Sequence, residues 1–220
     1  SKDISYINNS SSPKIEINNL YYSYNKNDNV INNLSLLLEP GKQLGIIGVS
    51  GAGKSTLLLL IIGILKPEKG EILIDNIPPE KYFDNLNNRI GYVGAEPYLI
   101  KGSLRDNLVY GLKKEVSDDE IYQALDKASM TSFIQKVGLN YEINEDQSGL
   151  SAGQKQRLCI ARAVLNKPKL LVLDEASANL DEVTEEEIAF SILKLKEKCT
   201  IVVVSHRPGM LKYVDKVLTL

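Results

Sequence analysis

The sequence predicts an α/β fold: a mostly parallel sheet covered on both faces, an antiparallel β lobe near the N-terminus and an inserted helical subdomain. Three observations predict it. From Gln43 onward, short apolar runs alternate with segments of helical spacing, the pattern of strands crossed over by helices. A glycine-rich loop, Gly48 to Ser55, joins one such run to a helix. Between about residues 99 and 149 the strand-like runs give way to helical segments. Residues 1–13 are expected to be a linker or terminus and 14–220 one domain, with a helical subdomain over about 99–165.

Ile15 to Tyr24 alternates apolar and polar residues and reads as a strand. Asn25 to Asn29 is a turn, Val30 to Leu38 a second strand, and Pro40-Gly41 ends it. Gln43 to Ile47 is a short apolar strand feeding the glycine loop. Lys54 to Leu65 continues as a buried helix, and Glu71 to Ile74 and Arg89 to Val93 are further strands. Ser117-Asp118-Asp119-Glu120 opens a helix, with acidic residues in its first turn. Thr131 to Val137 is another. Then come a helix (Ala152 to Leu165), a strand (Leu170 to Leu173), a helix (Glu182 to Lys196), a strand (Thr200 to Val204), a short helix near Met210 and a strand at Lys216 to Leu218.

The chain has 220 residues, 43% of them apolar and 25% charged, with a net charge of −2. There is no global basic field for nucleic acid or an anionic lipid surface. Lys113, Lys114, Lys194, Lys196 and Lys198 read as solvated surface, and no nucleic-acid partner is expected. No stretch reaches the ~18 consecutive apolar residues of a membrane span. The polar start, rich in Ser and Asn, is unlike a secretory leader. Cys159 and Cys199 lie in apolar surroundings and are read as buried thiols in a reducing compartment. The chain lacks an initial Met and stops at Leu220 after an apolar run, as expected of a piece of a longer polypeptide.

Gly48-Val49-Ser50-Gly51-Ala52-Gly53-Lys54-Ser55, followed by Thr56, fits the P-loop pattern between a strand and a helix. Glycines let backbone N–H groups converge on phosphate oxygens, and the helix start adds its dipole. In that pattern Lys54 reaches the β- and γ-phosphates and the Ser55 hydroxyl ligates Mg²⁺. Leu170 to Leu173 runs into Asp174 and Glu175. Carboxyl ends of parallel strands form the ligand face of such sheets. Asp174 is placed to hold Mg²⁺. Glu175 points the other way if strand geometry persists, which suits polarising the water that attacks the γ-phosphate.

Leu150-Ser151-Ala152-Gly153-Gln154, continuing as Lys155-Gln156-Arg157 and Ala161-Arg162-Ala163, resembles the LSGGQ signature of the ATP-binding-cassette (ABC) ATPases. Ser177-Ala178-Asn179-Leu180-Asp181 resembles that family's D-loop, and His206, the only histidine, its switch histidine. Tyr24 matches its adenine-stacking aromatic; with 11 tyrosines in the chain, a packing role is the alternative. The resemblance runs from about Ile15 to Leu220 and implies a P-loop NTPase core hydrolysing ATP to ADP and phosphate with Mg²⁺. Ser151, which heads a helix, makes an anion site with the N–H groups after it. The resemblance implies that this site, with Ala152, Gly153 and Gln154, serves a partner's ATP. Two such domains would then pack head to tail around two nucleotides. It also implies a transmembrane domain, of the same or an associated chain, and a place at the cytoplasmic face of a membrane.

Two positions depart from the family. The usual glutamine after the strand ending at Val93 is Ala95, within Val93-Gly94-Ala95-Glu96-Pro97. Alanine neither ligates Mg²⁺ nor orients water. Either Glu96 takes part, or water completes the ion's shell, or the site couples differently to its membrane partner. The expectation is slower or less tightly coupled hydrolysis, and an unchanged rate and Mg²⁺ dependence in Ala95→Gln would refute it. Ala152 replaces a glycine, which matters only if φ > 0 is required there. Gly102-Ser103-Leu104-Arg105-Asp106-Asn107 and Asn144-Glu145-Asp146 resemble exporter segments. Export is therefore the expected role, with an importer or a non-transport machine of DNA repair or translation as the alternatives.

Overall fold

The computed structural model describes residues 12–25, 29–84, 89–112, 114–145, 149–196 and 198–220. The expected linker up to residue 11, and the calls on Lys113 and Asp146, lie outside them. Of the expected linker, Ser12 and Pro13 are buried, and the Pro13 carbonyl accepts a hydrogen bond from Thr200 Oγ1 at 2.5 Å.

The chain runs β1 (Ile15–Ser23), β2 (Asn29–Leu38), β3 (Gln43–Ile47), α1 (Lys54–Ile61), β4 (Lys69–Ile74), α2 (Pro79–Asp84), β5 (Ile90–Val93), β6 (Gly102–Ser103) and α3 (Leu104–Val109). It continues through α4 (Asp118–Lys127), α5 (Thr131–Val137), β7 (Glu142–Ile143), α6 (Ala152–Leu165), β8 (Leu170–Asp174), α7 (Glu182–Leu193), β9 (Thr200–Val204), α8 (Pro208–Leu211) and β10 (Lys216–Thr219). β2, β1 and β4 make the antiparallel lobe, in that order. The main sheet is parallel, in the order β10-β3-β9-β8-β5.

Strand alternation decides what covers each face of the main sheet. Leu170, Val172, Val202 and Val204 point into one core with Leu57, Leu58 and Ile61 of α1 and Ile15, Ile17 and Leu20 of the lobe. Leu171, Leu173, Ile201 and Val203 point into the other, with α6, α7 and the helices of the insertion. Leu170 to Leu173 are all fully buried, so β8 is an apolar run without a polar face.

The helix start read at Ser117 is present. Ser117 Oγ accepts from Glu120 N and the Glu120 carboxylate accepts from Ser117 N, a reciprocal cap. Ser103 and Asp106 cap α3 in the same way. The Gly102–Asn107 segment therefore has a structural reason of its own. Buried Asn107 accepts from Ile100 N and donates to the carbonyls of Ile100 and Ser103, closing the loop ahead of α3.

Several boundaries differ from expectation. The first helix ends at Ile61, not Leu65, because Gly63 adopts φ +79° and a Cβ there would lie 2.8 Å from Glu80 N. α7 stops at Leu193 rather than Lys196. β1 carries a bulge at Asn18–Asn19, breaking its alternation, and Tyr24 falls just past its end. The short α2, α3, β6 and β7 were not anticipated. Both cysteines are free and buried; burial pushes the Cys199 thiol up to about 12. Of the lysines read as solvated surface, Lys114, Lys194 and Lys198 are exposed and Lys196 partly so; Lys196 meets Asp215 at 2.6 Å, Lys114 lies 3.6 Å from Glu120, and Lys194 sits over the Phe190 ring. No helix among the described residues is long and apolar enough to cross a membrane.

Candidate nucleotide site

The site follows from strand order. β3, β9 and β8 are neighbours in the middle of the sheet, in register at their carboxyl ends, with Ile46 opposite Val204 and Val204 opposite Asp174. The phosphate loop leaves β3, Asp174 ends β8, and His206 follows β9. Three loops, the first lying 119 residues before the second and the second 31 before the third, thus open onto one edge, where parallel sheets bind ligands.

A cavity of about 480 Å³ lies at this edge. Its walls include Tyr24, Ser50, Gly51, Gly53, Lys54, Ser55, Thr56, Asp174 and Glu175. Gly53 is the N-cap of α1, at φ +93°, with no side-chain cap and no acidic residue in the first turn. By contrast α3, α4, α6 and α7 all start under a Ser or Asp cap. The orphan N–H groups of α1 therefore remain for an anion in the cavity. Gly53 is also sterically required: a Cβ there would stand 2.7 Å from Val30 Cγ1. Lys54 Nζ donates to the carbonyls of Gly48 and Val49, at 2.8 and 2.9 Å, and so lies across the curve of the loop.

The Ser55 hydroxyl faces Asp174 Oδ1 at 3.4 Å. Tyr92 of β5 donates to Asp174 Oδ2 at 3.2 Å. Partial burial, then the Asp174 charge, push the Tyr92 phenol up to about 12. The expectation that Glu175 continues the strand and points away from Asp174 is corrected. Glu175 has φ +52°, a left-handed conformation costing a non-glycine residue about 1–2 kcal/mol. Its N–H is held by the Val204 carbonyl at 2.9 Å. That turn brings both carboxylates into one cavity. Glu175 Oε2 lies 2.9 Å from His206 Nδ1. A carboxylate can only accept, so Nδ1 is the donor, and the ring remains 72% exposed.

Tyr24 is on the cavity wall and 56% exposed, its ring edge-on to Tyr22 and its hydroxyl 3.1 Å from Thr56 Oγ1. Tyr24 thus packs edge-on against Tyr22 and keeps an exposed ring beside the phosphate loop.

The signature residues are elsewhere. Ser151 caps α6, its Oγ accepting from Gln154 N and the Gln154 carboxamide accepting from Ser151 N. Neither they nor Ala152 and Gly153 line the cavity. Asp181 does not line it either. Its two oxygens accept from Thr184 N and Thr184 Oγ1, bonds that hold its carboxyl below the usual range. Ala152, in the first turn of α6, is not among the positive-φ residues, so it meets no strain in place of glycine. Ala95 is exposed, on the loop after β5.

Sequence reasoning missed four residues. Tyr92 holds Asp174, as described. Gln156, fully buried, donates to the Gly94 carbonyl at 2.8 Å. Arg207 donates through Nη1 to the carbonyls of Ser177 and Leu180, at 2.6 and 2.5 Å, and through Nε to buried Glu185 at 2.7 Å. Glu185 also accepts from Met210 N. The one available signal was Gln156 and Glu185 at helical positions otherwise given to apolar residues.

The ABC transporter family model matches residues 31–178. The chain belongs to the ABC transporter family. This ABC domain is 34% identical over 209 residues to a "Lactococcin transport/processing ATP-binding protein LcnC-like" of Lactococcus lactis, covering 94% of the chain and 29% of the relative. It is 38% identical over 220 residues to a "Putative export ATP-binding/permease protein" of Rickettsia prowazekii, covering 97% and 38%. Among solved structures, a bacterial Atm1-family ABC exporter with ATP bound superposes with a TM-score of 0.84 at 28% identity, covering 97% of this chain and 39% of that one. The chain thus spans about a third of the length of these relatives. It is an ATP-binding, ATP-hydrolysing domain of this family. The relatives are transport and export proteins by name and lend no support to an importer or a non-transport machine.

Proposed function

We propose that this domain powers export by closing with a second nucleotide-binding domain around two ATP molecules, each held by one phosphate loop and the opposite Ser151 signature. The observation that carries this is the division of labour in the fold. Lys54, Asp174 and Glu175 line one cavity, with His206 bonded to Glu175, while Ser151, Ala152, Gly153 and Gln154 are not part of its wall. A signature segment that reaches no nucleotide of its own domain is left for another molecule's.

Magnesium fits the residues present. Ser55 Oγ and Asp174 Oδ1 are hard oxygens facing each other beside the phosphate loop, the donors Mg²⁺ takes. No cluster of three or more His, Cys, Asp or Glu side chains suited to a metal occurs among the described residues. The remaining donors would be phosphate oxygens and water, as is usual for this ion. When bound, it neutralises charge on the β- and γ-phosphate oxygens. Lys54 adds a second positive charge there. Glu175 accepts a hydrogen bond from the attacking water, and His206, oriented through Nδ1, presents Nε2 to the γ-phosphate side. Tyr24 stacks on the adenine. Asp181, fixed as the cap of α7, belongs to the face presented to the partner. A transmembrane domain, in the same or an associated chain, would place the assembly at the cytoplasmic face of a membrane.

The test is the ATP hydrolysis rate against protein concentration in Mg²⁺. A rate rising faster than linearly supports two domains sharing two nucleotides. A rate strictly proportional to concentration across the whole range would refute it.

A further inference from the structure

Asp174 is held from both sides. Ser55 reaches Oδ1 from the phosphate loop, and Tyr92 reaches Oδ2 from β5. Tyr92 pairs with Val172, two residues before Asp174 on the adjacent strand, so the backbone register sets its reach. Its ring lies over Gly94: a Cβ there would stand 3.5 Å from the ring and 3.8 Å from the hydroxyl. The Gly94 carbonyl is in turn fixed by buried Gln156. The phenol is therefore backed by a loop that is itself tied down, and that loop continues into Ala95, whose side chain has no polar atom.

We propose that Tyr92 is a positioning residue for the divalent cation, its hydroxyl fixing the Asp174 carboxylate so that Oδ1 faces the ion beside Ser55. This rests on the magnesium–nucleotide reading above. A carboxylate free to rotate presents either oxygen or both. One held at Oδ2 presents a single oxygen in one direction, which suits an ion demanding near-octahedral geometry. Partners that orient a metal's ligands typically contribute 10–100-fold to metal affinity. Here the contribution would come from β5 itself, in a chain whose following loop supplies no side-chain oxygen at position 95.

Tyr92→Phe removes the hydroxyl and keeps the ring. The readout is binding of a fluorescent ATP analogue, as the ratio of its Kd in EDTA to its Kd in excess Mg²⁺. This ratio measures the cation's contribution without turnover. For Tyr92→Phe it is expected to shrink roughly tenfold, with the Kd in EDTA and the melting temperature without nucleotide unchanged. An unchanged ratio, in a protein whose wild type does respond to Mg²⁺, overturns the role of Tyr92. Equal weakening in EDTA and in Mg²⁺ overturns it too, because the phenol would then act on the nucleotide. A wild type whose binding ignores Mg²⁺ overturns the magnesium reading, and this inference with it.

Discussion

Glu175→Gln is expected to lower steady-state ATP hydrolysis by at least about 100-fold while leaving ATP affinity within a few-fold of wild type. Positioned general bases contribute about 10²–10⁴-fold, and glutamine keeps the size but not the proton affinity. The left-handed turn at Glu175, held by the Val204 carbonyl, does not depend on the side-chain charge, so the substitution leaves the cavity's shape in place. His206 Nδ1 keeps an acceptor in the carboxamide oxygen. A variant that binds ATP without consuming it is further expected to elute from gel filtration as a dimer in ATP and as a monomer without it. Hydrolysis within tenfold of wild type would remove Glu175 from the role of base. A monomer in saturating ATP would count against the shared-nucleotide interface.

The second large effect is on stability. Glu185→Ala is expected to destabilise the domain by about 3 kcal/mol, since removing one member of a buried ion pair leaves the other without its counter-charge. Glu185 is nearly inaccessible, with a side-chain exposure of 3% against 21% for Arg207. Its loss also orphans Met210 N at the start of α8. For a domain of this size, that corresponds to a fall in Tm of roughly 6–12 °C. Glu185→Gln, which keeps an acceptor for Met210, is expected to fall between. A change in Tm below about 2 °C for the alanine variant would show that the pair is screened by solvent. Because Arg207 also grips the carbonyls of Ser177 and Leu180, the loss should loosen the segment before Asp181 as well.

Much of this was legible in the residues, for physical reasons that also mark where legibility stopped. Period-two and uninterrupted apolar runs gave the strands, and Ser117 with Glu120 gave a helix start, because caps and alternation are local. The P-loop, Asp174, Glu175 and His206 were legible because each closes an apolar strand. The conformation of Glu175 was not: a left-handed residue at a strand end is imposed by its partner on β9, not by its own identity. Tyr92, Gln156 and Arg207 were hidden for a related reason. Each acts through a hydrogen bond to a group far along the chain, Asp174, Gly94 or Ser177, and spacing along a sequence carries no trace of such contacts. The early end of α1 at Gly63 is decided by close approach to the backbone of α2, an element that was itself unread.

The bond from Gln156 to Gly94 has a mechanical consequence. Gln156 lies in the second turn of a 14-residue helix, about 21 Å long, whose first turn carries the signature. Stretching the bond would strand a fully buried amide, at a cost of about 1–3 kcal/mol. Tilting or sliding α6 therefore drags Gly94 and the neighbouring Ala95 along instead of leaving them behind. The helix and the loop behave as one lever, with whatever meets its tip at Ser151 felt at the far side of β5.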